Sequence, residues 1–278
     1  VDSMLVMLVS RIPRTLAIVL VGASTSITGM IMQMLARNRF VSPSTAGTVE
    51  SASLGILLIT LLSPGATIAA KIGFASLVAL MGTGLFLLIL RAIPLRSPLV
   101  VPLIGMMLGG VISSVTSFFA YRYDLLQSLS IWTNGDFSRV LRGRYELLWL
   151  SGALTVVAFL AADRFTVAGL GEAFTRNLGL NYGRVLAFGL TIVSVVTAVN
   201  VVTVGAIPFL GLIVPNVVSM MLGDNVRRTA PWVAVIGAGF LLACDIAGRA
   251  IRYPFEIPIA TVVGVVGSAI FLVIRVWR

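Results

Sequence analysis

The chain has 278 residues, of which 58% are hydrophobic and 11% are charged, and its 20 Lys and Arg outnumber its 10 Asp and Glu. Soluble domains carry about 25% charged residues, so this composition excludes an ordinary soluble protein and indicates a polytopic membrane protein. The chain has no His and one Cys, Cys244, which excludes a Cys/His metal site or a disulfide framework built from this chain alone.

Nine continuous apolar runs predict an all-α bundle of membrane-spanning helices. A helix needs about 20 apolar residues to cross a bilayer, whereas a closed barrel would show short alternating segments. The breaks between the runs carry proline, glycine and charge, as expected of turns that face water. The predicted spans are 14–35, 47–63, 68–91, 98–121, 145–162, 184–206, 208–223, 230–251 and 257–275. Residues 1–13 are too short to span, and we expect a further helix to precede them.

Two of the predicted spans carry small residues at every fourth position. These stripes are Gly105, Gly109, Ser113 and Ser117 in the fourth span, and Ala260, Gly264 and Ser268 in the last span. A helix presents such residues on one face, where they allow close packing of helices in lipid or line a water-filled route. We predict that both stripes line a transport pathway, with a packing seam as the open alternative for each.

Three polar residues lie within or close to predicted spans, namely Glu50, Asn200 and Asp245. Such residues are costly in a bilayer and usually face a bundle interior or a water-filled cavity. Glu50 also lies near the inner end of its span, where its carboxylate can reach water. For Glu50, contact with water at the inner end and a place in the bundle interior or a cavity remain alternatives. For Asp245 and Asn200, the alternatives are a hydrogen bond to a neighbouring helix and a place on a transport path.

Two polar loops interrupt the apolar runs. Residues 121–146 are amphipathic and predict a helix on the outer surface, where Tyr121, Tyr123 and Trp132 fit an interfacial belt. Residues 162–185 predict two short helices broken at glycine on the inner side. The distribution of basic residues favours this orientation weakly. The outer arginines indicate either attraction to an acidic partner or anchoring at helix ends.

Four stretches carry a resemblance to a known family. They are RIPRTLAIVLVGASTSITGMIMQMLARNRFVSPSTAG, AGLGEAFTRNLGL, VGAIPFLGLIVPNVV and LLACDIAGRAIRYPFEIPIATVVGVVGSAIF. In this order they resemble the permease subunits of iron-siderophore, haem and cobalamin ABC importers, over almost the whole chain. RFVSPSTAGTVESASLGIL is most similar to the subgroup that imports ferric catecholate-type siderophores such as petrobactin.

The resemblance implies the architecture and partners of a type II importer half. Residues 1–278 would form a single transmembrane permease domain of a ten-helix protein in the bacterial cytoplasmic (inner) membrane. A second permease subunit, either related or identical, would complete the path for a ferric siderophore. Two ATPase subunits would bind ATP and Mg inside, and a periplasmic or lipid-anchored binding protein would dock outside. The chain itself would bind no cofactor and no nucleic acid.

The resemblance also implies two sets of contact residues. The element expected to contact the ATPase comprises Gly171, Glu172, Ala173, Arg176 and Gly179, and the residues expected to meet the binding protein are Arg11, Arg14 and Arg249. Each set has a structural alternative. Glu172 is favoured at the first turn of a helix by the helix dipole. Arg11 and Arg14 can anchor in headgroups, and Arg249 can pair with Asp245 one turn earlier.

A proton-coupled secondary transporter that uses Glu50 and Asp245 as a relay is the rival class. The chain contains no G-x-x-x-x-G-K-[ST] motif, so ATP hydrolysis is not expected on it. A membrane-embedded enzyme is the least supported class, because no nucleophile–base set is present and histidine is absent.

Overall fold

The computed structural model describes residue 4 and residues 7–93, 99–138, 140, 141, 143, 145–251 and 255–276. Within this part of the chain a short π-helix, Met7–Arg11, is followed by twelve α-helices. The helices are α1 (Ile12–Leu35), α2 (Thr48–Leu62), α3 (Ile68–Ala92), α4 (Val100–Arg122), α5 (Leu126–Thr133), α6 (Leu148–Leu160), α7 (Ala162–Gly169), α8 (Glu172–Asn177), α9 (Tyr182–Thr203), α10 (Leu210–Leu222), α11 (Val226–Ala250) and α12 (Ile259–Val276).

Each of the nine predicted spans coincides with one apolar helix, namely α1–α4, α6 and α9–α12. By length and hydropathy, five helices in the described residues can each cross a membrane: α1 together with the π-helix, α3, α4, α9 and α11. The pair α6 and α7 qualifies as one further span that is bent by 64°. The remaining apolar helices, α2, α10 and α12, are shorter. The all-helical fold class is therefore confirmed.

Side-chain caps and glycines fix several helix ends. Asn181 and Asn225 accept hydrogen bonds from the backbone N–H three residues later, at 3.1 and 3.2 Å, and so begin α9 and α11. Gly47 precedes α2 with φ of 77°, a left-handed conformation that glycine adopts without a steric penalty. These local signals place the turns where the sequence pattern predicts them.

Helix α1 lies at the centre of the bundle and packs against α6, α9, α10 and α11. The packing depends on small residues. A side chain at Gly29 would overlap the Gly211 backbone of α10, and a Cβ at Gly22 would lie 2.8 Å from the Gly237 carbonyl oxygen of α11. Such close approach is how helices associate in lipid, where apolar burial gives little driving force.

The amphipathic loop contains one short helix, α5, as predicted. Tyr121 and Tyr123 are exposed, as an interfacial belt requires. Trp132, in contrast, is partly buried and packs against the apolar cluster that includes Ala52 and Val201. The backbone after α5 is tied down, because the Gly135 N–H donates to Ala206 O at 2.9 Å and Gly135 O accepts from Ala260 N–H at 3.2 Å.

Candidate functional site

A cavity of about 460 Å³ lies among α2, α4, α5, the start of α12 and the turn before α10. Its wall combines apolar side chains with hydroxyls, one amide and one carboxylate. The lining residues are Ser44, Val49, Glu50, Ser53, Ser113, Thr116, Leu129, Thr133, Asn134, Ala206, Ile207, Pro208, Ala260 and Thr261. The wall therefore brings together α4 and α12, the two helices that the small-residue stripes predicted for a pathway.

Glu50 supplies the carboxylate of this wall. It lies in the first turn of α2, where the helix dipole favours a negative charge. Its Oε2 atom is buried and has no hydrogen-bond partner among the described residues. A Cβ at Gly109 would lie 3.3 Å from both Cδ and Oε2, so the bare glycine of α4 leaves room for the carboxylate. Of the alternatives that the sequence left open, the structure shows Glu50 on a cavity wall.

The stripe on α4 divides into a packed part and a cavity part. A side chain at Gly105 would overlap the Thr45 carbonyl oxygen, which makes this position a packing seam. Gly109 borders Glu50, and Ser113 lines the cavity. Ser117 is exposed and does not line it. The packing-seam alternative thus holds at Gly105, and the place of Gly109, Ser113 and Ser117 on a pathway stays a prediction.

The stripe on α12 divides in a similar way. Ala260 lines the cavity. A Cβ at Gly264 would find only the Pro208 side chain, at 3.9 Å, so this position is loosely packed. The Ser268 hydroxyl donates to the Gly264 carbonyl oxygen at 2.7 Å within the same helix. Gly264 and Ser268 lie outside the cavity wall, and their place on a pathway stays a prediction.

Sequence analysis missed several polar residues of the wall: Ser53, Thr116, Thr133, Asn134 and Thr261. Helical spacing gave a usable signal for two of them. Ser53 follows Glu50 by three residues and Thr116 follows Ser113 by three, so each pair shares a helix face. For Thr133 and Asn134 no such signal existed, because only the backbone bonds after α5 bring that segment to the cavity.

Near the start of α1 a network of ion pairs joins α1, α11 and the segment before α12. Arg14 donates to Asp245 Oδ1 of α11 and to Glu256 Oε2 of the segment before α12, both at 2.7 Å. Arg249 Nη2 lies 2.6 Å from Asp245 Oδ2, one helical turn along α11. The Asp245 side chain is only 2% exposed, so this carboxylate is both buried and paired. The pairing that the sequence suggested for Arg249 is present.

The three arginines predicted to meet a binding protein differ in exposure. The Arg14 side chain is 14% exposed, while that of Arg249 is 42% exposed. Arg11 ends the π-helix, is exposed, and makes no ion pair within the described residues. Arg11 and Arg249 are thus accessible to a partner, whereas Arg14 is committed to carboxylates of its own chain.

Asn200 sits at the centre of a buried hydrogen-bond network. Its Oδ1 accepts from the Ser151 hydroxyl at 2.9 Å, and its Nδ2 donates to Ser24 and Thr25 hydroxyls, both at 3.1 Å. These bonds join α9 to α6 and to α1. The structural alternative for Asn200, a hydrogen bond to neighbouring helices, is therefore confirmed.

The predicted inner loop contains two short helices, α7 and α8, that break at glycine as expected. Gly171 has φ of 108° and begins α8, and Gly179 has φ of 78° just after it. Glu172 and Arg176 form an exposed ion pair of 2.7 Å, and Ala173 between them is exposed. The first turn of α8 thus presents its side chains away from the bundle, as a contact surface requires.

Arg37 supports this loop from the end of α1. A Cβ at Gly171 would lie 3.0 Å from the Arg37 Nη1 atom, so the guanidinium packs against the turn that begins α8. Thr175 lies on the buried face of α8, and its hydroxyl donates to the Gly171 carbonyl oxygen at 2.7 Å. No sequence pattern marked Arg37 as a residue of this loop, and its contact with Gly171 became visible only in the fold.

The fold and the site define a membrane permease: helices packed through small residues, a polar cavity between two of them, and a short helix, α8, with exposed side chains. In the described residues no group of three or more His, Cys, Asp or Glu could hold a metal ion. Residues 2–277 match the FecCD transport family, and the chain belongs to that family.

Relatives of this family match nearly the whole chain. It is 51% identical over 263 residues to the petrobactin import system permease protein YclN of Bacillus subtilis, covering 95% of this chain and 83% of that one. It is 44% identical to the petrobactin import system permease protein FatD of Bacillus anthracis, covering 98% and 82%. It is 41% identical to the ferric-anguibactin transport system permease protein FatD of Vibrio anguillarum, covering 95% and 84%.

A solved structure shares the fold. An inward-facing conformation of a metal-chelate type ABC transporter superposes with a TM-score of 0.83 at 24% identity, covering 98% of this chain and 88% of that chain. The chain is thus a multi-pass permease subunit of an ABC importer, and ATP hydrolysis lies on separate subunits. Nothing in the comparisons supports the proton-coupled alternative.

Proposed function

We propose that this chain forms half of the pathway by which an ATP-driven importer carries ferric siderophores across the bacterial cytoplasmic membrane. The observation that carries the proposal is the 460 Å³ cavity between α4 and α12. Its mixed wall of hydroxyl and apolar groups suits a bulky polar chelate that must pass without being held. The petrobactin and anguibactin permeases among the relatives support this class of cargo.

The proposal assigns each remaining surface a partner. A second permease subunit completes the pathway, and two ATPase subunits bind ATP and Mg beneath α8. A substrate-binding protein delivers the ferric siderophore at the opposite end, where Arg11 and Arg249 are accessible. This chain contributes no cofactor of its own and couples the motion of its partners to the cavity.

Uptake by the reconstituted complex tests the function directly. Proteoliposomes that contain the permease, its partner subunits and ATP should accumulate radiolabelled ferric petrobactin only when the binding protein is present. Cysteines at Ser113 and Ala260 should react with small aqueous thiol reagents, because both positions line the cavity. Cysteine at Ala79, which is fully buried, is the control. Equal reactivity at all three positions would remove α4 and α12 from the pathway.

The role of α8 has its own test. The complex with Glu172→Lys should still assemble and hydrolyse ATP, but hydrolysis should no longer drive uptake. Glu172 is exposed and its ion pair is local, so its loss should change stability by less than about 0.5 kcal/mol. Asp163→Lys, which breaks the exposed pair with Arg227 on the same side, is the control. Normal uptake by the Glu172→Lys complex would show that α8 does not couple ATP hydrolysis to transport.

A further inference from the structure

Among the residues that the structure describes, Glu50 is the one charged side chain on the wall of the cavity. We propose that Glu50 determines specificity by binding a cationic group of the cargo, in particular a protonated amine, as the chelate passes. This inference rests on the proposed function, since it requires the cavity to be the route of the cargo. It adds a chemical property, a positive charge beside the metal-chelating groups, to the class of chelates that the route accepts.

The carboxylate lacks a partner inside the chain. Its Oε2 atom is buried without a hydrogen-bond partner among the described residues, and none of the Arg or Lys residues in that part of the chain lines the cavity. Burying an uncompensated charge is unfavourable, so buried carboxylates are normally paired. Asp245, a carboxylate that is buried within the bundle, follows that rule with Arg14 and Arg249 as its partners. Glu50 departs from it at the place where a ligand can enter.

The surroundings suit an ammonium group. A protonated amine carries up to three N–H donors, of which a carboxylate satisfies one or two. Ser53, Ser113 and Thr116 line the same cavity and offer hydroxyl oxygens as further acceptors. The bare Gly109 keeps α4 close to the carboxylate without covering it. A cavity of about 460 Å³ also leaves room for more of the cargo than the amine alone.

The charge of Glu50 disfavours anionic chelates as well as favouring chelates that carry an amine. A wholly anionic chelate would meet the uncompensated negative charge of Glu50, whereas a chelate with a protonated amine would neutralise that charge. Specificity is a difference between two such free energies, and it benefits from repulsion of the wrong ligand. Glu50 can therefore select among chelates that the binding protein delivers without holding any of them strongly.

Paired chelates test the assignment in the intact reconstituted complex. The two probes are a ferric tricatecholate with one free primary amine and the same compound with that amine acetylated. Wild-type complex should take up the amine form preferentially. Glu50→Gln preserves the shape but removes the charge, and it should lower the ratio of amine to acetylated uptake about tenfold, the size expected for one charge-assisted hydrogen bond. The binding protein is common to both complexes, so its own preference cancels in this comparison.

Glu146→Gln is the matched control, because Glu146 is an exposed carboxylate outside the cavity wall and its change should leave the ratio unaltered. Glu50→Asp, which keeps the charge, should retain the preference at least in part. An unchanged ratio in Glu50→Gln, or an equal fall for both probes, would overturn the assignment. A wild-type complex that takes up neither probe nor ferric petrobactin would instead refute the proposed function.

Discussion

Asp245 and Glu50 are two carboxylates within apolar helices, and the structure treats them in opposite ways. Asp245 is 2% exposed and lies within 2.7 Å of two guanidinium groups, Arg14 and Arg249. Glu50 borders a cavity and its buried Oε2 has no partner in the described part of the chain. Asp245 is ion-paired within its own chain, whereas Glu50 is left available to a ligand that enters the cavity.

The difference indicates that Asp245 serves the stability of the fold and that Glu50 serves its function. A paired buried charge contributes to the fold, because removing either partner leaves the other unsatisfied. An unpaired buried charge opposes folding, so its presence at a cavity needs another reason. The two residues therefore predict opposite responses to the same substitution, and this contrast can be measured.

Asp245→Ala is expected to have the largest effect on stability. It leaves Arg14 without its buried partner and removes a link between α1 and α11, so the free energy of unfolding should fall by about 3 kcal/mol. Glu50→Ala should change it by less than about 0.5 kcal/mol or raise it, since an uncompensated charge is lost. Thermal unfolding of the two purified variants in detergent measures both.

Asp163→Ala provides a control, because it breaks an ion pair with Arg227 whose side chains are both 62% exposed. Exposed pairs contribute about 0 to 1 kcal/mol, so this variant should resemble the wild type. If Asp245→Ala were as stable as Asp163→Ala, the network at the end of α1 would not hold the bundle together. The distinction between the two carboxylates would then fail.

Gly105→Ala should have the next largest effect, because it tests the packed part of the α4 stripe. A methyl group there would overlap the Thr45 carbonyl oxygen, so the turn before α2 must shift, at a cost of about 2 kcal/mol. Gly110→Ala on the same helix has no atom within 4 Å of its new Cβ and should be neutral or slightly stabilising. Equal stability of the two variants would mean that Gly105 is not a packing seam.

The sequence predicted much of the fold because membrane helices are specified locally. Continuous apolar runs and proline- or glycine-containing breaks located the nine apolar helices of the described residues, and the glycine at 171 located the break between α7 and α8. The bend between α6 and α7 was not predicted, because no proline or glycine marks Ala161. It follows from packing of α7 against α1 and α11 rather than from local composition.

The cavity could be predicted only in part. A stripe of small residues marks the face that a helix turns inward, but not what faces it, so Gly105 and Ser113 looked equivalent in the sequence. Their roles differ because Thr45 packs against Gly105, whereas Ser113 lines the cavity. Likewise Glu50 and Asp245 looked like similar candidates for a relay, and only the positions of Arg14 and Arg249 distinguish them.

Asn200→Ala extends the comparison to a neutral polar group that is satisfied by its own chain. It removes bonds to Ser24, Thr25 and Ser151 and should lower stability by about 1 kcal/mol, as interhelical hydrogen bonds in membranes do. Thr191→Ala, whose hydroxyl bonds only within α9, is the control and should change stability by less than about 0.5 kcal/mol. A loss no larger in Asn200→Ala than in the control would show that the network does not stabilise the bundle.

Arg11, like Glu50, has no ion-pair partner in the described residues, and its side chain is exposed. Arg14, in contrast, is held by two carboxylates. Arg11→Glu should leave the free energy of unfolding unchanged and slow the association of the binding protein several-fold, because charge complementarity acts mainly on encounter. The effect should be largest at low ionic strength, where screening is weakest. Association rates at two salt concentrations, measured with immobilised binding protein, give the answer.

Arg14→Glu cannot serve in the same test, because it would break the pairs with Asp245 and Glu256 and disturb the packing at the start of α1. Arg249→Glu is intermediate, since its side chain is 42% exposed but also bonds Asp245. A Glu→Arg change on the binding protein that restores the rate for Arg11→Glu would identify the partner residue. Association that responds neither to Arg11→Glu nor to salt would make Arg11 a headgroup anchor and place the docking surface elsewhere.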